Sequence, residues 1–309
     1  MKRTTTALLM IVLAGLGLAH SAEAGQGRKH QGFSITTNTE RDLRDCSQIK
    51  MRIDDAEVVR AEQTKTIPQG AFSALRIQAP RNGGIAVQGW DRGEFSITAC
   101  LGAAGDDAAE ARALLNQLSL AVQDGQVTVQ GPGGEPWNGY LLVQAPNGAN
   151  LELEATNGPI SLNAITANVQ ARTTNGPLSF SHVSGQVRAN AQNGPINVSG
   201  NQGEYHLEAQ NGPIGVDLEG SAWESGELEA RTQNGPLTLT LPESYQSPIR
   251  IESAGHSPVE CRAEQCKHAM RTWDRPNLIE FGDAAPVIRL STVNGPVTVT
   301  STGRKRRAN

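Results

Sequence analysis

Aromatic side chains are scarce, at 4% of 309 residues, too few for the thick core of a large globular domain. Glycine is plentiful at 33, which suits thin coils with small inward side chains. Ala7 to Ala19 is apolar but too short to span a membrane. No Gly-x-Ser-x-Gly segment and no Cys/His pair of recognisable spacing occurs, so nucleophilic catalysis lacks a signature. The net charge of −4 gives no reason to expect a nucleic-acid partner. No cofactor and no resident metal is implied.

Residues 1–24 read as a secretory signal. Lys2 and Arg3 supply the positive start, and Ala22-Glu23-Ala24 is a small-x-small cleavage site. No Cys follows that site, so a lipoprotein anchor is not expected. Cleavage after Ala24 would leave 309−24=285 residues and take the net charge from −4 to −5. The chain is therefore expected in the periplasm or outside the cell, with no transmembrane segment.

What is present is a repeat. Asn-Gly-Pro occurs at Asn157, Asn175, Asn193 and Asn211, 18 residues apart each time, and again at Asn234 and Asn294 after longer insertions. Three residues after Asn come Ile160, Leu178, Ile196, Ile214, Leu237 and Val297. Six before it come Leu151, Val169, Val187, Tyr205, Leu228 and Ile288. Apolar residues alternate on both sides of the turn, which marks two half-buried strands per unit. A constant period over four copies predicts an all-β fold, a β-solenoid of stacked Asn-Gly-Pro coils, since each coil must offer the same side chain to the same column. An antiparallel sandwich is the alternative. At the turn, Gly is expected to take a positive φ and Asn to tolerate a left-handed conformation. Asn shares parity with the apolar columns, so it is expected to point inward and stack as an amide ladder.

In chain order, 1–24 is the signal, 25–65 a polar leader with a short strand, and 66–300 the solenoid domain, interrupted by an insertion at 242–286. The basic tail is 301–309. Ile49, Met51 and Ile53 alternate with Lys50 and Arg52 as the leader's strand. A strand runs from Ala71 to Gln78. Asn82-Gly83-Gly84 followed by Ile85 to Asp91 is a degenerate copy of the repeat unit, and Phe95 to Ala99 is expected to pair next. Asp106 to Leu118 is the one convincing helix, a short side or cap element with Asp107 as its cap and Glu110 completing a capping box. Asp124-Gly125 turns a hairpin.

The series signal peptide, Gly-Gly-Ile-Ala-Val-Gln-Gly-Trp-Asp turn (83–91), helix and recurring Thr-Asn-Gly-Pro-Ile units resembles the bacterial putative-adhesin family of exported β-strand-repeat proteins. The resemblance covers roughly Gln69 to Thr300. It implies a β-solenoid envelope protein and transfers no catalytic residue.

Four Cys in an exported chain point to disulfides, with three possible connectivities. Cys261–Cys266, close in sequence, and Cys46–Cys100, tying the leader to a strand, are favoured. Zinc held by Cys261, Cys266, His268 and His256 is the alternative use. Outward columns before the turn carry charge. Glu154 with Arg172, and Glu208 with Arg231, are expected to pair between coils. Outward columns after the turn are nearly uncharged: Ser161 and Asn163, Ser179 and Ser181, Asn197 and Ser199, Gly215 and Asp217, Thr238 and Thr240, Thr298 and Thr300. This flat face of hydroxyls and amides is the candidate docking surface for an envelope glycan or protein. The expected function is that of an adhesin-like or scaffold protein, not an enzyme; the alternative is a polysaccharide-active β-helix enzyme with acids on an outward column. The basic tail is a candidate contact for anionic lipid.

Overall fold

The computed structural model describes residues 33–37, 43–53, 58–254, 258–272 and 277–302, with backbone alone for 33–37 and 272. The expected signal segment, leader residues 25–32, 38–42 and 54–57, His256 and the basic stretch 303–309 lie outside the described residues.

Each repeat unit is one coil of a β-solenoid. Strands that precede the Asn-Gly-Pro turn stack in parallel as a leading sheet: Ala149–Ala155, the second half of Ile160–Thr173, Gln186–Ala191, Glu204–Ala209, Leu228–Asn234 and Ile288–Asn294. Strands that follow it stack as a trailing sheet: the first half of Ile160–Thr173, Leu178–Ser184, Ile196–Gly200, Ile214–Leu218, Leu237–Leu241 and Val297–Ser301. The register is strict. Ile160, Leu178, Ile196, Ile214, Leu237 and Val297 lie opposite one another rung by rung, none more than 1% exposed. One hydrophobic core runs between the sheets. Period-two alternation explains this directly, since every second side chain of both strands faces that core.

The degenerate copy forms a true rung. Leu75–Gln78 pairs with Ala149–Ala155, and Ile85–Trp90 pairs with Ile160–Thr173. The strand here starts at Leu75 rather than Ala71. Another copy lies beyond it. Trp137–Pro146 pairs in parallel with Ile85–Trp90, placing Asn138-Gly139 level with Asn82-Gly83, Leu141 opposite Ile85 and Val143 opposite Val87. Both edges of Ile85–Trp90 are thus occupied. The segment around Phe95 to Ala99 therefore cannot pair next to it; Glu94–Ala103 runs antiparallel between Val59–Pro68 and Trp137–Pro146.

Both ends of the core are covered. The helix spans Ala108–Leu115, shorter than expected, and buries Ala111, Leu114 and Leu115. The Asp107 carboxylate accepts from the Ala109 and Glu110 amides, both at 2.8 Å. The Glu110 carboxylate accepts from the Asp106 amide at 2.7 Å, one residue before the cap, so the reciprocal half of the box is displaced. Gln63 joins the two sheets at this end, donating to the Leu118 carbonyl and accepting from the Leu120 amide. At the other end the insertion adds Ile249–Ser253 to the leading sheet and Val259–Cys261 to the trailing sheet. The Cys261–Cys266 disulfide clamps that cap. The leader strand Ile49–Ile53 pairs with Phe33–Thr37, and Cys46–Cys100 fastens it to the solenoid.

The Asn-Gly-Pro corner departs from its expected geometry. None of its residues has a positive φ; among the described non-glycine residues the positive values fall at Asp124, Ala164 and His182. Glycine is needed for closeness instead. A Cβ on Gly158, Gly176, Gly194, Gly212, Gly235 or Gly295 would lie between 1.9 and 2.1 Å from the carbonyl oxygen of the glycine one rung away. The asparagines form a ladder, but outside the core: all six repeat asparagines are exposed. Each side-chain amide donates to the preceding Asn oxygen, from Asn175→Asn157 at 2.8 Å to Asn294→Asn234 at 3.0 Å, and Asn157 continues the series to Asn82 at 2.9 Å. Parity fails because the inward place at the corner is taken by the glycine backbone.

Candidate functional site

The outward face of the trailing sheet is divided by what covers it. Its first rungs present Tyr140, Leu142 and Ala86, and the leader residues Leu43, Cys46, Ile49 and Met51 bury them in a small second core. Beyond the leader the same columns turn polar. Ala86 is followed in register by Ser161, Ser179, Asn197, Gly215, Thr238 and Thr298. The neighbouring column runs Gln88, Asn163, Ser181, Ser199, Asp217, Thr240 and Thr300. Asn197, Asp217 and Thr238 are exposed, and the others named in the candidate surface are half-buried. Glu260, opposite Thr298, bounds the face at the far end. The face is an open polar strip with a shallow dent of about 160 Å³ over Ser161, Ser179 and Ser199.

These hydroxyls and amides are partly linked along the axis. Asn163 donates to Gln88 at 3.0 Å and Ser199 to Ser181 at 3.0 Å. Ser181 meets His182 Nδ1 at 3.1 Å, and His182 Nε2 lies 2.9 Å from the Glu219 carboxylate. With Nε2 donating to Glu219, Nδ1 accepts from the Ser181 hydroxyl, so one directional chain joins three rungs. His182 and Glu219 are 56% and 43% exposed, so this chain lies on the surface rather than in a closed site.

The leading sheet has a different outer face. Glu154, Arg172, Asn190, Glu208 and Arg231 stand in register on five successive rungs. The expected pairs Glu154–Arg172 and Glu208–Arg231 do not close to ion-pair distance among the described residues. Register brings backbones within a rung of each other, but long exposed side chains keep their freedom at little cost. Ion pairs form elsewhere on this face, Arg76–Glu152 at 2.9 Å and Arg289–Glu227 at 2.6 Å, and His206 Nε2 lies 4.0 Å from the Glu229 carboxylate. Between the column that starts at Glu154 and the one holding Gln192, Gln210 and Gln233 runs a groove of about 610 Å³, larger than the dent on the trailing face.

Both sulfurs of Cys261 and Cys266 are used in their disulfide, and His256 of the zinc alternative lies outside the described residues. No group of three or more His, Cys, Asp or Glu is placed to hold a metal among the described residues. No helix among them is long and apolar enough to cross a membrane. Asn138 and the groove are what sequence reasoning missed. Asn138-Gly139 with Leu141 and Val143 at the repeat's own offsets was a usable signal for the first. The groove has no local signal, because it lies between columns of different coils.

Among curated proteins none matches the chain in sequence. Among solved structures the chain is similar to a putative adhesin from Bacteroides fragilis NCTC 9343, at 12% identity over 78% of this chain and 97% of that one, with a TM-score of 0.37. It is also similar to a putative cell adhesion protein from Clostridium sporogenes ATCC 15579, at 9% identity over 79% of this chain and 100% of that one, with a TM-score of 0.31. A third, a putative lipid binding protein from Parabacteroides distasonis ATCC 8503, shares 9% identity over 78% of this chain and 96% of that one, with a TM-score of 0.23. The family model described as Toastrack DUF4097 matches residues 53–264, more than half of the sequence and most of the stacked coils. The chain belongs to the Toastrack DUF4097 family.

Proposed function

We propose that this protein is an exported, adhesin-like or scaffold component of the bacterial envelope, and that it docks a glycan or protein partner on the trailing face. The observation that carries the reading is the in-register polar strip left open between the leader and Glu260. Hydroxyls and amides on a rigid sheet lose little entropy on binding, which favours contact with an extended polar partner. Two disulfides support a location outside the reducing cytoplasm. The names of the similar solved structures agree with an adhesin-like role, but at their scores they add no weight.

In the groove of the leading sheet, whose lining carboxylates are Glu154 and Glu208, spacing favours binding over glycoside hydrolysis. Glu154 and Glu208 stand three rungs apart, roughly 14 Å at about 4.8 Å per rung, beyond the separations of hydrolytic carboxylate pairs. Glu152, two residues from Glu154 on the same face, is held by Arg76.

The test is retention of the purified chain on isolated cell-wall glycan and on envelope protein. Ser179→Glu with Ser199→Glu places two charges in the strip and should weaken retention about ten-fold, or roughly 1.4 kcal/mol. Unchanged retention by this double variant, with an unchanged melting temperature, would remove the trailing face from consideration.

A further inference from the structure

We infer that the groove on the leading sheet is a second, separate binding site, built for a straight β-1,4-linked polysaccharide that carries acetamido groups. It lies on the face opposite the polar strip and does not depend on the docking proposed there.

The groove is straight because its two walls are columns in register. Glu154, Arg172, Asn190, Glu208 and Arg231 form one wall. Thr174, Gln192, Gln210 and Gln233 belong to the other, and rung-to-rung backbone bonds such as Gln192 N–H to Thr173 O and Gln210 N–H to Ala191 O keep them aligned. The residues between the walls, including Ala155, Ala191 and Ala209, turn their side chains into the core, so the floor is backbone. Five rungs give a run of roughly 19 Å at about 4.8 Å per step. The volume of about 610 Å³ falls in the range of ligand sites.

The period of the walls selects the ligand. An extended peptide lying along the axis advances about 3.3 Å per residue and turns alternate side chains away, so it falls out of step within two rungs. A pyranose chain linked equatorially at both ends is straight and advances by nearly one rung per sugar. Successive sugars are inverted about the chain axis, so each spans the same two columns while its acetamido group faces the two walls in turn. The chemistry agrees. Asn190, Gln192, Gln210 and Gln233 offer paired amide donors and acceptors, which match an acetamido group. The Glu154 and Glu208 carboxylates accept from hydroxyls, and the Arg172 and Arg231 guanidinium groups donate to ring or hydroxyl oxygens. Among the described residues none of these four charged side chains is committed to an ion pair, so each is available to a ligand.

The probe is chitohexaose, titrated calorimetrically into the full chain, with cellohexaose as the counterpart that lacks acetamido groups. Saturable binding of chitohexaose, at least ten-fold tighter than that of cellohexaose, is the expected result. Asn190→Trp, which fills the middle of the groove from an exposed position, should reduce it ten-fold or more. Gln210→Ala should reduce it about three-fold while leaving the melting temperature unchanged. The Ser179→Glu plus Ser199→Glu variant should bind chitohexaose as the wild type does, and its loss of cell-wall retention is measured in the Asn190→Trp background, where the groove is filled, which separates this site from the opposite face. Absence of saturable binding, equal affinity for the two hexasaccharides, or binding indifferent to both groove substitutions would overturn the assignment.

Discussion

The two corners of each coil solve one problem in opposite ways. At the Asn-Gly-Pro corner the backbone itself is packed: glycine stands on glycine with no room for a Cβ, and an external row of amides ties rung to rung. At the opposite corner close backbone contact occurs at single places, as where a Cβ on Gly185 would lie 2.4 Å from the Ala167 carbonyl oxygen, and no one residue type repeats from coil to coil. Ala164 and His182 take left-handed φ values of 47 and 50, and individual side chains do the fastening. Tyr205 donates to the Val183 carbonyl at 2.6 Å, Trp223 donates to the Gly203 carbonyl at 3.2 Å, and Phe180, Tyr205 and Trp223 meet edge to face. Every insertion follows this division. The segments 91–148, 219–227 and 242–287 all enter after a trailing strand and leave before a leading one. A corner where every coil repeats the same backbone contact cannot admit extra chain; a corner whose contacts differ from coil to coil can.

The sharpest way to break the comparison is Gly194→Ala. The new Cβ would lie 2.1 Å from the Gly176 carbonyl oxygen, and a backbone atom cannot rotate away. A loss of about 3 kcal/mol or more is expected in denaturant unfolding. A loss below 1 kcal/mol would show that the corner can open.

The side-chain corner should respond to chemistry instead. Tyr205→Phe removes one buried hydroxyl bond and should cost about 1–2 kcal/mol. Burial also holds the Tyr205 hydroxyl well above the ordinary tyrosine range, and the Tyr245 hydroxyl is pushed up to about 12, again chiefly by burial. In the unfolded chain both ionise near the ordinary value of about 10. Above that pH the unfolded state has lost protons that the folded state retains, so stability falls as pH rises. Tyr205→Phe should flatten that alkaline decline, leaving the part due to Tyr245. An equally steep decline in the variant would mean that Tyr205 ionises normally when folded.

Asn193→Ala removes two ladder bonds, one to Asn175 and one from Asn211, both at 3.0 Å. The ladder is exposed, so water replaces much of what is lost, and a cost of about 1 kcal/mol is expected in thermal unfolding. The smallest effect has the opposite sign. Ala164→Gly relieves a left-handed residue and should leave stability unchanged or raise it by about 0.5 kcal/mol. A clear loss there would indicate that the Ala164 methyl is packed rather than merely tolerated.

Much of the fold was legible because its determinants are local. Alternation around each turn named the buried columns, and the 18-residue period stacked them. The roles within the turn were misread for the same reason. Positive φ is the usual local use of glycine, whereas here the demand comes from the neighbouring coil 18 residues away. The expected inward Asn failed likewise, since parity along one strand does not report what the adjacent backbone already fills. Asn138-Gly139 was readable but lay outside the constant spacing that drew attention to the other copies.

What the sequence by itself determined is the coil: its strands, its turn and the spine from Ile160 to Val297, all dictated by side-chain alternation and a constant period. Only the tertiary structure decided which surfaces remain open. The leader folds over the first rungs of one face and leaves the polar strip beyond it, and side chains from five coils frame the groove on the other. The columns that line them follow from the repeat spacing, but which of them stay uncovered depends on contacts between residues far apart in the chain, for which neither spacing nor composition carries a local mark.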